Sequence, residues 1–129
     1  VLNLFGDGEY GLVPASASLD TGKTVSGWVY YGGVAATFLD LGTPTISSSG
    51  GSLTSSGFTD PTYHVNGVST ATLGAAGWKH VMVTSTAALA TDNWDQLLIP
   101  QAKLIGYSDV KVTADALQNY NAQKAAFGL

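Results

Sequence analysis

The feature that most constrains this chain is its punctuation. Short runs rich in Val, Ile, Thr, Tyr, Phe and Trp recur about every ten residues, each closed by Gly, Pro, Asn, Asp or Ser, which is the rhythm of an all-β sandwich or barrel. The pattern predicts strands over 9–13, 24–31, 36–41, 45–48, 52–56, 63–65, 68–72, 79–84, 96–99 and 107–113. In "YHVNGVST", Asn66 and Gly67 are the residue types that accept the two positive φ angles of a type I′ turn, so this stretch predicts a hairpin. The segment 46–58, "ISSSGGSLTSSGF", has the composition of a linker, yet Ile46, Leu53 and Phe58 interrupt it at strand spacing. Neither flank holds enough residues for its own core, so a hairpin on a polar sheet edge is expected.

One helix is predicted, in "TADALQNYNAQKAAF" near the C-terminus. Thr113 is the expected N-cap, Asp115 suits the first turn and Gly128 follows the last. Leu117, Tyr120 and Phe127 fall close to one face, which predicts a helix packed across an end of the sandwich.

Composition narrows the function. The 129 residues are the size of one domain, and 45% are apolar while only 11% are charged, so the chain is expected to fold with a neutral, hydroxyl-rich surface. All five basic residues are lysines (Lys23, Lys79, Lys103, Lys111 and Lys124), dispersed in a chain of net charge −4. Nucleic acid is therefore not an expected partner, since phosphate recognition needs clustered cations. The absence of cysteine excludes disulfides and thiolate chemistry but fits either redox environment. No apolar run has the length of a membrane helix, and no membrane insertion is expected. The sequence starts on Val1, without an initiating Met or a signal-type leader, and is expected to be a single domain of a larger protein or assembly.

Enzymatic chemistry finds little support in the residues. Glu9 is the only glutamate, and no strand carries the pair of carboxylates two residues apart that would place a glycosidase's acid and base on one face. No Gly-x-Ser-x-Gly elbow occurs, and neither His64 nor His80 has a close acidic or histidine neighbour of the kind a local metal motif shows. In "WKHVMVT", Trp78, His80 and Met82 alternate with Lys79, Val81 and Val83, so both faces are largely apolar and the strand is expected to be central. His80 then reads as a core histidine rather than a catalytic one. No enzyme activity and no required cofactor are expected.

Three segments resemble, in order, the laminin-G-like, concanavalin A-like lectin/glucanase superfamily. They are "LFGDGEYGLVPASASLDTGKTVSGWVYYG" (4–32), similar to its opening up to a Ser-x-Trp-Val strand, "GWKHVMVT" (77–84), similar to its Trp-x-His-Val strand, and "LIGYSDVKVTADALQNYNA" (104–122), similar to its closing strand. The resemblance implies a jelly-roll β-sandwich of two antiparallel sheets, used as a recognition module for glycan or protein surfaces, to which the residues themselves add the one short C-terminal helix. It also implies a structural calcium in some members, for which Asp7 and Asp109 are the matching positions. The family's glucanase branch uses paired glutamates, which this chain lacks, and "STAALATDNWDQLLIPQAK" stands where the family has a further hairpin.

Within that segment, "TDNWDQ" offers sugar-binding chemistry. Trp94 can act as a stacking platform, with Asp92, Asn93, Asp95 and Gln96 as hydroxyl partners. A second expectation, from a different class, is a structural or decoration domain of a virion, fibre or surface layer that contacts identical subunits or capsid proteins. Its contacts would fall on Tyr30, Tyr31 and the Ser/Gly hairpin. Both expectations place the chain outside the cell, on a cell surface or on a virion.

Overall fold

The structure is a computed structural model and describes residues 10–11, 22–40, 43–89, 97–98, 102–107 and 110–129. Ten strands are described: β1 (Tyr10–Gly11), β2 (Thr24–Tyr31), β3 (Ala36–Asp40), β4 (Thr45–Ser49), β5 (Ser52–Ser56), β6 (Thr62–Val65), β7 (Val68–Ser69), β8 (Gly77–Thr84), β9 (Leu97–Leu98) and β10 (Ala102–Tyr107). Helix α1 (Thr113–Gln123) follows and runs into a 3-10 turn, Lys124–Phe127. The strand predicted over 107–113 begins where β10 ends, and residues 110–112 lead directly into α1.

A five-stranded sheet of order β10-β2-β8-β6-β7 and a three-stranded sheet of order β3-β4-β5 are both antiparallel throughout, beside a short β1–β9 ladder. The backbone of the first sheet is β2 against β8, paired from Thr24↔Thr84 to Tyr31↔Gly77. Alternation divides each strand into two sets. Val25, Val29 and Tyr31 of β2 and Val81 and Val83 of β8 face the second sheet, where Phe38, Leu39, Ile46 and Leu53 meet them in one core with Val65, Leu73 and Leu89. A bulge in β3 between Thr37 and Leu39 lets the neighbours Phe38 and Leu39 both turn inward, which strict alternation forbids. At the margin of this core the Ser55 and Tyr63 hydroxyls hydrogen-bond at 2.7 Å and tie β5 to β6.

Segment 46–58 forms a hairpin, as its interrupted apolar spacing predicts. The outer face of its sheet is a lattice of small polar groups. Thr37, Ser47 and Thr54 form one cross-strand row, and Asp40, Thr45 and Ser56 the next, with the Thr45 and Ser56 hydroxyls 2.7 Å apart.

The helix does not pack across an end of the sheets, where the sequence places it. It lies on the outer face of the five-stranded sheet, against β7 and β8. Its inward stripe runs through Ala116, Tyr120, Gln123 and then Phe127 of the 3-10 turn, while Leu117 is 46% exposed. Val112 rather than Thr113 is the N-cap, and the Asp115 carboxylate accepts the Val112 N–H at 3.0 Å. The Thr113 hydroxyl is thereby left for a partner on the sheet, described below. The small Ala116, fully buried, allows the close approach of helix and sheet.

The Asn66-Gly67 hairpin forms as predicted, with φ of 51° and 79°, and it seats the helix. Asn66 extends the ladder to β8: its N–H donates to the His80 carbonyl at 2.8 Å, and its Oδ1 accepts the His80 N–H at 3.0 Å. Gly67 presses against the helix, so that a Cβ there would stand 2.8 Å from the Leu117 Cα. Gly67→Ala is expected to destabilise by roughly 1–3 kcal/mol, combining a left-handed backbone with a clash against helix backbone. Gly50, also at positive φ (57°) but with open space around it, is the control. Gly50→Ala should lose only the backbone part, about 1 kcal/mol. Urea unfolding compares the two, and equal losses would show that the helix is not seated on the turn.

Candidate functional site

The outer face of the five-stranded sheet carries most of the described chemistry. Alternation places Thr24, Ser26, Trp28 and Tyr30 of β2 on this face, opposite Thr84, Met82, His80 and Trp78 of β8. β6 adds Thr62 and His64, opposite Thr84 and Met82. Covered by α1, most of this set is inaccessible: Trp28 is 2%, His80 1% and His64 4% exposed.

Most polar groups on this face have a defined partner. The Trp28 indole N–H donates to Gln123 Oε1 at 2.8 Å. His64 Nε2 lies 2.9 Å from Thr113 Oγ1, which explains why that hydroxyl does not cap its own helix. His80 Nε2 lies 3.3 Å from Ser26 Oγ, and the Thr62 and Thr84 hydroxyls are paired. The Nδ1 atoms of both histidines are buried and have no hydrogen-bond partner among the described residues.

Around these bonds the aromatic rings form a continuous row. Trp28 stacks on Phe127 with centroids 4.0 Å apart, and meets His80 edge-on at 5.4 Å and Tyr120 at 5.9 Å. Phe127 touches Trp78 at 5.1 Å, and Trp78 meets Tyr30 edge-on at 5.6 Å. Burial decreases along the row from Trp28 through the half-buried Trp78 to Tyr30, which is 42% exposed. The row thus emerges at the end of the sheet, beside the turn that carries Val34, 69% exposed.

Ser26 with His80 has the residue types of a nucleophile and its base. Both side chains are sealed beneath Trp28 and α1, and β2, β6 and β8 contain no carboxylate to orient the imidazole. Burial lowers the His80 pKa from 6.5 to about 4 and lowers that of His64 as well, because a charged ring loses its hydration there. Both rings are therefore neutral at physiological pH, and the expectation that His80 is a packed histidine agrees with its surroundings.

The other sequence-predicted site residues divide clearly. Asp92, Asn93, Trp94, Asp95 and Gln96 of the sugar-binding stretch, and Asp7 and Asp109 of the calcium pair, lie outside the described residues. Of the two tyrosines assigned to subunit contact, Tyr30 is exposed but Tyr31 is 4% exposed and belongs to the core between the sheets. Tyr31 cannot serve as a contact, because its odd register on β2 turns it toward the second sheet. Sequence reasoning did not pair Tyr30 with Trp78 or place Phe127 beside them. The antiparallel register of β2 on β8, the only signal for it, is not visible from either strand alone. Among the described residues, no group of three or more His, Asp or Glu is arranged to hold a metal ion.

Comparison of the chain with protein-family models, with curated proteins and with solved structures finds no match in any of the three.

The depressed histidine pKa values carry a pH dependence with a definite sign. Between pH 6.5 and about 4 the unfolded chain binds a proton at His80 that the folded chain does not. Stability from this group is complete above pH 6.5, falls as the pH drops through that window and levels off below it. The loss amounts to up to about 3 kcal/mol. Urea unfolding at pH 7.5 and pH 4.5 measures it, with His80→Gln expected to remove most of the difference.

Proposed function

We propose that this chain is a non-catalytic recognition module, a jelly-roll β-sandwich of the laminin-G-like kind, which contacts glycan or protein at one end of the sandwich outside the cell. The observation that carries the reading is the exposed end of the aromatic row: Tyr30, 42% exposed, held edge-on to Trp78 at 5.6 Å. A rigid aromatic surface backed by further rings offers a stacking face for a pyranose or a contact for an apolar side chain, and loses little side-chain entropy on binding. The fold assignment is supported by the way the three resembling segments meet. They are distant in sequence, yet their strands β2, β8 and β10 lie side by side in one sheet. The sealed surroundings of His80 and Ser26 also favour recognition over catalysis.

Binding is tested on a glycan array and against extracellular protein panels, with Tyr30→Ala as the variant. The substitution should weaken binding roughly tenfold or more, in line with the loss of one aromatic stacking contact. It should change stability by less than about 1 kcal/mol, because the side chain is largely at the surface. Binding unaffected by Tyr30→Ala would refute the assignment of this surface.

A second reading, a structural or decoration domain of a virion or surface layer, draws on the Ser/Thr rows outside the three-stranded sheet. Neutral hydroxyls can be buried against a neighbouring subunit at little desolvation cost when they find partners there. Light scattering on the native material distinguishes the two, since this reading requires a large symmetric assembly and the first is compatible with a monomer.

A further inference from the structure

We propose that α1 is an acid-released cover: protonation of His64 and His80 detaches it from the five-stranded sheet while the core between the two sheets stays folded. The proposal is independent of which ligand the module binds.

The two histidines sit where the helix is fastened. His64 pairs with Thr113 in the first turn of α1 at 2.9 Å. His80 lies edge-on to Trp28, and Trp28 in turn holds the other end of the helix through Gln123 at 2.8 Å and Phe127 at 4.0 Å. Between these anchors the seat is thin, with Ala116 the one fully buried residue of α1.

A neutral imidazole tolerates this seat because its unprotonated nitrogen needs no acceptor. An imidazolium donates from both nitrogens, and in each ring Nδ1 is buried with no partner among the described residues. The charge would be left unpaired and one donor unsatisfied, which is among the costliest arrangements in a protein interior. Releasing the helix gives both rings to water and removes the cost. Burial already holds both rings in the neutral form.

Among the described residues, the groups facing the histidines offer no compensation. From β2 come Thr24, Ser26 and Trp28, from β8 Met82 and Thr84, from β6 Thr62, and from the hairpin Asn66, whose Oδ1 is taken by the His80 backbone. On the neighbouring strand, Lys103 of β10 stands opposite Trp28 in register. On the helical segment the titratable groups are Lys111, Asp115, Tyr120 and Lys124. Asp115, its only carboxylate, accepts the Val112 N–H, and the Lys124 ammonium lies 5.4 Å from the Tyr120 ring centre. The core between the sheets contains no histidine, so the same protons leave it unaffected. Release would bare Trp28 and the inner part of the aromatic row, extending the surface that begins at Tyr30.

The test is hydrogen exchange of the full chain at pH 7.5 and pH 4.5, corrected for intrinsic exchange rates. Protection of the α1 amides should fall at least roughly tenfold at pH 4.5, while the β2 and β8 amides stay protected. In the His64→Gln/His80→Gln variant α1 should remain protected at both pH values, and Asp115→Asn should leave the acid release in place. Three outcomes would overturn the proposal: simultaneous loss at α1, β2 and β8, no loss at α1, or release that persists in the double variant. Should the double variant not fold, NMR titration of the two imidazoles in the unaltered chain decides instead. Their protonation must share its midpoint with the loss of α1 protection, and separate midpoints would refute the coupling.

Discussion

Two strands that carry large apolar or aromatic groups on both faces have to be covered twice, and the β2–β8 pair is built that way. Val25, Val29, Val81 and Val83 require one layer, and Trp28, Met82 and His80 require another on the opposite side. The three-stranded sheet supplies the first layer and α1 the second. The rest of the architecture adapts to this demand: the bulge in β3 adds a second large side chain to the inner layer, and the tight Asn66-Gly67 turn lets a helix reach the outer one. A sandwich with one solvated face per sheet would have been satisfied by strands alone.

The two layers differ in kind. The inner one is aliphatic with Phe38, Phe58 and two tyrosines, and it depends on shape and burial. The outer one combines aromatic stacking with hydrogen bonds between side chains, each linking residues far apart in the chain, such as Trp28 with Gln123 and His64 with Thr113. Polar pairs of this sort add modest net stability but specify one arrangement, since any shift of α1 along the sheet leaves buried donors without acceptors. The helix is thus positioned by its polar contacts as much as by its single buried alanine.

Much of this order was legible from the residues. The runs 24–31 and 52–56 became strands with those bounds, and Asn66-Gly67 became the hairpin its backbone preferences require. Local signals of this kind depend on residues a few positions apart, which is what a single sequence displays. What stayed hidden was set at long range. The placement of α1 on a sheet face rather than a sandwich end follows from Trp28 meeting residues 95 positions away. The use of Thr113 as a partner for His64 rather than as a cap depends likewise on a strand 49 positions earlier. The burial of Tyr31 and the exposure of Tyr30 were implicit in alternation, but which of the two faces inward required knowing the side on which the second sheet lies. The stretch around Trp94, read as a sugar-binding candidate, and the aspartates at 7 and 109 lie outside the described residues.

The position of α1 in chain order has a consequence for how the molecule is made. Every strand it covers precedes it, so a ribosome delivers β2, β6 and β8 before the segment that shelters their outer side. During that interval Trp28 and both imidazoles face water, and the histidines ionise as they do in any short peptide. The acidity of the surroundings in which the chain is made therefore acts on a nascent sheet quite differently from the finished one, and closing the helix over it expels protons as well as water.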